Sequence, residues 1–127
     1  MKRVTGLGGI FFKSENQAQS IEWYKKHLGL DINESYGGTE FKWRDHENPE
    51  KESKTIWSVF KSTTKYLDPS QSKFMVNYIV EDLETLMPIL KSEGVEVVGD
   101  LEKSDYGKFA WILDPDGNKI ELWEPGK

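Results

Sequence analysis

At 127 residues the chain is sized for one domain, or for two small halves sharing a core. Its net charge of −5, with lysines interleaved among Asp and Glu, disfavours a nucleic-acid partner, and the lack of Cys excludes disulfides, Cys-based zinc sites and thiol nucleophiles. No apolar run approaches the ~20 residues needed to cross a membrane and no apolar leader follows Met1, so a cytoplasmic location is the default expectation.

In chain order, residues 7–12 read as a strand. Asn16 is placed to cap a helix, with Gln19 three residues on as in a capping box, and Ala18, Ile21, Tyr24 and Leu28 follow a helical spacing in which Trp23 fits less well. Gly29 supplies the stop. Residues 30–36 read as a strand, Gly37-Gly38 as a turn, 39–44 as another strand, 45–54 as a polar loop and 55–61 as the strand that closes the half. Residues 62–73 are polar and turn-rich and read as a linker.

The second half repeats the order. Residues 74–80 form a β-favouring run, and Asp82 can cap a helix with Leu83, Leu86, Met87 and Leu90 on its buried face and Gly94 at its end. Pro88 is the misfit, since inside a helix it removes a hydrogen bond. Residues 95–98 read as a strand, and 109–113 and 119–123 as a hairpin around Asp114-Pro-Asp-Gly-Asn118, where Gly117 or Asn118 can take φ > 0. Placing Gly9 against Met75 also pairs Asn16 with Asp82 and Tyr24 with Leu90. The reading is therefore an α+β fold of two tandem βαβββ units, about 5–61 and 74–124, joined by 62–73.

Period-two alternation places Leu7, Gly9 and Phe11 on one face of the first strand and Met75, Asn77 and Ile79 on the equivalent face of the second unit. Glu121 stands out: a carboxylate inside an apolar strand is costly to bury unless a metal, a donor or a watered cavity meets it. Lys119 and Trp123 share its face. Trp43, Trp57, Phe60 and Trp111 are candidate walls of an aromatic pocket, and Tyr106, beside Gly107, is a candidate lid. Competing with that reading, aromatics on strands are more often plain core or interface. Asn77 and Glu121 are more informative because polar groups on apolar strands need partners; those partners could be each other, Lys119 or Arg44, which would make the site structural.

Two segments, Ser20-Ile-Glu-Trp-Tyr-Lys-Lys-His-Leu-Gly-Leu30 and Asp114-Pro-Asp-Gly-Asn-Lys-Ile-Glu-Leu-Trp123, carry a resemblance that extends from Gly9 to Glu124. They are similar to the vicinal oxygen chelate superfamily, which includes glyoxalase I, extradiol dioxygenases and bleomycin- and fosfomycin-resistance proteins. The resemblance implies a curled mixed sheet enclosing an aromatic cup, helices outside, a homodimer and a small-molecule ligand. It also implies a metal held by equivalent strands of the two units. The matching positions are Gly9, Met75, Glu121 and a fourth at Trp57 or Ser58, so one acidic ligand, Glu121, is retained. His27 on the first helix and His46 in the polar loop do not restore the set.

The function expected is therefore a small-molecule-binding protein of the bleomycin-resistance type, without a metal cofactor, holding an aromatic or cationic ligand. A glyoxalase-type lyase or isomerase with Glu121 as general base or residual metal ligand is the alternative. An extradiol-type dioxygenase would need two His and a carboxylate around iron or manganese, and the missing His count against it.

Overall fold

The computed structural model describes residues 2–126. Nine elements follow one another: β1 Val4–Ser14, α1 Gln17–Leu28, β2 Gly38–Arg44, β3 Glu52–Lys61, β4 Phe74–Val80, α2 Leu83–Ser92, β5 Glu102–Ser104, β6 Gly107–Leu113 and β7 Lys119–Pro125. The strands form one open mixed sheet in the order β2-β3-β1-β4-β7-β6-β5. The halves meet at the antiparallel pair β1–β4, where Gly9 faces Asn77 and Phe11 faces Met75. Each of these central strands has a parallel partner from its own half, β3 beside β1 and β7 beside β4. That is the tandem architecture read from the sequence.

The predicted caps are in place. Asn16 Oδ1 accepts from the Gln19 amide at 3.0 Å and Asp82 Oδ1 from the Thr85 amide at 3.2 Å. Gly29 ends α1 in the left-handed conformation, at φ 66°, which a residue without Cβ adopts at little cost. Pro88 sits on the exposed side of α2, where the helix continues past it to Ser92.

Two predicted strands are corrected. Residues 30–36 form no strand; Asn33 makes an isolated bridge to Gly38. The reason is local: Asn33 Oδ1 accepts from the Ser35 amide at 2.9 Å, while its carbonyl accepts from the amides of Tyr36, Gly37 and Gly38. The side chain thus turns the chain back on itself before a ladder can extend. Residues 95–98 likewise shrink to a Val97–Ile112 bridge, and the regular pairing with β6 moves on to β5. In the other direction, β3 takes in residues 52–54 of the predicted loop.

The sheet divides the apolar residues into two groups. On the helix side, α2 buries Leu83, Leu86, Met87 and Leu90 against Val80, Ala110 and Leu122. On the concave side, Phe11, Leu67, Met75 and Trp111 form a second cluster, with Ile56, Phe60 and Phe109 packed against it. Leu67 is fully buried although it comes from the segment read as a linker, so residues 62–73 close one end of the cup as well as joining the halves.

Candidate functional site

The concave side holds a cavity of about 610 Å³ lined by Gly8, Phe11, Ile56, Asn77, Phe109 and Glu121, with Tyr106 and Trp123 at one wall. Glu121 on β7 is 3% exposed and Asn77 on β4 is 2% exposed. They are direct register partners across the parallel β4–β7 pair, which places both side chains on the same face.

Glu121 is held entirely by neutral donors. Asn77 Nδ2 donates to its Oε1 at 2.7 Å, and Trp111 Nε1 donates to its Oε2 at 2.9 Å. The Tyr66 hydroxyl gives a third bond, also to Oε2. A buried carboxylate without donors would carry a large desolvation cost, and these three bonds offset much of it. Burial and the nearby Glu121 charge push the Tyr66 phenol well above its ordinary value, so it stays protonated as a donor.

Lys119 shares this face but does not pair with Glu121. Its Nζ donates to the Tyr66 carbonyl at 2.6 Å and lies 5.3 Å and 5.5 Å from the Tyr66 and Trp111 ring centroids. Burial lowers its pKa, against an opposing pull from Glu121. Of the partners considered for Asn77 and Glu121, the two bond each other, and neither Lys119 nor Arg44 takes part.

The walls differ from the set read from the sequence. Asn77, Tyr106, Glu121 and Trp123 line the cavity together, and Trp111 supports the carboxylate. Trp123 stacks on Phe109 at 6.0 Å, and its Nε1 donates to the Tyr106 carbonyl at 2.9 Å, which fixes the loop whose side chain is 74% exposed at the rim. Phe60 stands one layer back, stacked on Phe11 at 5.4 Å. Trp43 belongs to an adjoining groove of about 940 Å³. This groove shares Glu40, Lys54, Tyr106 and Trp123 with the cavity but is lined mostly by charged side chains and does not reach Glu121.

Trp57 is the clear correction. It packs edge-on against Phe12 and Tyr24 of α1, at 5.3 Å and 4.9 Å, on the opposite face of the sheet. Alternation along β3 therefore puts Ser58 on the cup side, between Ile56 and Phe60. Sequence reasoning missed Tyr66, Phe109 and Gly8. The one signal for Tyr66 was an aromatic-aliphatic pair, Tyr66-Leu67, inside an otherwise polar run.

The positions that match metal ligands do not make a donor set. Gly9 has no side chain, Met75 lies in the apolar cluster, and the Ser58 hydroxyl donates to the Tyr36 carbonyl at 3.3 Å. Both Glu121 oxygens already accept from protein donors. His27 and His46 are exposed, on α1 and in the loop before β3. Among the described residues no three His, Cys, Asp or Glu gather as a metal site would require.

Residues 10–122 match the family described as the Glyoxalase/Bleomycin resistance protein/Dioxygenase superfamily. No curated protein sequence matches the chain. Similar solved structures include methylmalonyl-CoA epimerase from Mycobacterium tuberculosis, at 24% identity and TM-score 0.60, covering 100% of this chain and 92% of that one. A methylmalonyl-CoA epimerase variant from Streptomyces coelicolor, in complex with 2-nitronate-propionyl-CoA, gives 14% identity and TM-score 0.66, covering 98% and 99%. A superfamily member from Vibrio splendidus 12B01 gives 15% identity and TM-score 0.61, covering 93% and 98%. At these identities the likeness is one of fold.

Proposed function

The chain belongs to the glyoxalase/bleomycin resistance protein/dioxygenase superfamily, and from that premise we propose that it is a metal-independent protein binding an aromatic or cationic small molecule in the cup. The observation that carries this reading is the state of Glu121. The acidic residue at the superfamily's ligand position is satisfied by Asn77, Trp111 and Tyr66, and a cavity of about 610 Å³ with aromatic walls opens above it. A concave, mostly apolar space with a few convergent polar groups is what small-molecule sites share. The carboxylate favours a cation there, and the Glu40–Lys54 pair at the rim, at 3.0 Å, leaves that balance unchanged.

A glyoxalase-type lyase or isomerase is the second reading. It is favoured by the presence of Glu121 in the cavity lining, where Oε1 keeps a lone pair beyond the one Asn77 uses. A homodimer is also proposed, supported by exposed Ile10 and Phe74 on the helix side of the central strands and by exposed Trp23 on α1. The test of the main reading is metal content after purification without chelator, together with thermal unfolding in EDTA and with added divalent metals. Substoichiometric metal and an unmoved midpoint are expected. A stoichiometric metal whose removal lowers the midpoint would overturn it.

A further inference from the structure

The sheet is open, and its two end strands are unlike. β5 spans only Glu102–Ser104, whereas β2 runs from Gly38 to Arg44 with Glu40, Phe41, Lys42 and Arg44 exposed. Among the described residues, Asn33 alone bridges to the outer edge of β2. It does so at Gly38, where the Asn33 amide donates to the Gly38 carbonyl at 2.7 Å and the Gly38 amide donates back at 3.3 Å. The Gly38 backbone groups therefore point outwards. Direction alternates along an antiparallel ladder, so the backbone groups of Glu40 and Lys42 point outwards too. Their side chains already belong to ion pairs with β3: Lys54 Nζ lies 3.0 Å from Glu40, and Lys42 Nζ lies 4.0 Å from Glu52. All four stand on the cup side, because the register sets Glu40 opposite Ile56 and Lys42 opposite Lys54.

We propose that β2 is a docking edge for β2 of a second copy of this chain, paired antiparallel about a two-fold axis through Phe41. The outward backbone groups of Glu40 then meet those of Lys42 of the second copy, and the reverse, each pair exchanging both hydrogen bonds. The charges select the same register. Each row across the interface reads Lys54, Glu40, then Lys42 and Glu52 of the second copy, with the sign alternating at every step. The neighbouring registers that keep the same backbone bonding set Glu40 on Glu40 or Lys42 on Lys42, and like charges directly opposite destabilise a pair. A lone edge lysine works against strand addition; here Lys42 meets a carboxylate in one register and so specifies it. On the other face Phe41, 47% exposed, packs on Phe41 of the second copy at a close, non-hydrogen-bonded position. The ladder is short, because Arg44 of the second copy comes beside Gly38, whose outer edge Asn33 already holds. This edge is a different surface from the helix-side face of β1 and β4 on which the homodimer was argued.

So short a pairing falls at the small, weak end of specific interfaces, with a dissociation constant expected at about 10–1,000 μM. Sedimentation equilibrium of the full chain, from about 5 μM to about 2 mM, reads it. Lys42→Glu and Glu40→Lys each set like charges across the interface and are expected to weaken association at least about tenfold. Both positions are exposed, so neither change threatens folding. The double reversal, Glu40→Lys with Lys42→Glu, puts opposite charges back across the interface and is expected to recover the parent's association to within about threefold. If neither single reversal weakens association, whether because the parent stays monomeric or because its copies meet through the helix-side face, the proposal is overturned. A double reversal that associates no better than the single ones would overturn it as well.

Discussion

Replacing Glu121 by leucine and by glutamine separates what its shape does from what its hydrogen bonds do. Leucine removes the acceptor from three donors. Trp111 is 8% exposed and Asn77 is 2% exposed, so Trp111 Nε1 and Asn77 Nδ2 would be left buried and unpaired. Each such group costs about 1–3 kcal/mol. Tyr66 is 42% exposed as a residue, so the loss of its half-buried bond adds less than either of these two. Two orphaned donors sum to about 2–6 kcal/mol, and relief from burying a charge offsets part of it, leaving an expected net loss of about 2–4 kcal/mol. Glutamine keeps an oxygen for Trp111 and Tyr66. It turns an amide nitrogen towards Asn77, which inverts its own amide to accept. All three bonds survive without charge, so Glu121→Gln should lie within about 1 kcal/mol of the parent. Equilibrium urea unfolding followed by tryptophan fluorescence measures both. A leucine variant as stable as the parent, or a glutamine variant as damaged as the leucine one, would show that the carboxylate is not anchored as described.

The Tyr66 phenol is raised above its ordinary 10.0 in the fold, so the unfolded chain ionises first and stability falls as pH rises past about 10. Tyr66→Phe removes that contribution; the stability gap between parent and variant should narrow from pH 9 to pH 11 in urea unfolding, and a gap that widens would reverse the sign argued here. Trp57→Ala should destabilise by about 2–4 kcal/mol while leaving the affinity of the cup for a planar aromatic cation such as benzamidine unchanged, because Trp57 packs on α1 and not in the cup. Trp123→Ala should weaken that affinity, and equal effects of the two substitutions on binding would refute the assignment of faces.

Most of the fold was legible because its signals are local. Asn16 and Asp82 act as the caps their residue types indicate, Gly29 ends α1, and Gly117 takes the positive φ in the final hairpin. The failures are cases where a side chain outcompeted periodicity. Residues 30–36 looked extended, but Asn33 offers its own carboxamide to the following backbone and the chain turns instead. Trp57 looked like a pocket wall because tryptophan on a strand carries no indication of which face it occupies; only the register that puts Gly9 beside Ile56 and Phe11 beside Ser58 decides. Tyr66 was illegible for another reason. It reaches Glu121 from 55 residues away, out of a segment whose composition says turn, and no spacing rule links the two.

The burial of a carboxylate at Glu121 in an apolar cup has a physical account in the neighbouring residues. A lone acid there would destabilise the fold unless other groups held it. Here Trp111 lies directly across from Glu121 in the β6–β7 register and Asn77 directly across in the β4–β7 register. Both donors are therefore delivered by strand pairing, which is rigid, and only Tyr66 comes from a loop. The Asn77 nitrogen is committed to Glu121, and that commitment packs its oxygen against the Gly8 backbone, where a Cβ would stand 2.2 Å away. Gly8→Ala should therefore push Asn77 off Glu121 and destabilise the fold by about 1–3 kcal/mol, the cost of breaking a buried hydrogen bond. Urea unfolding reads the loss, and an alanine variant as stable as the parent would show that Gly8 and Asn77 do not pack as closely as described.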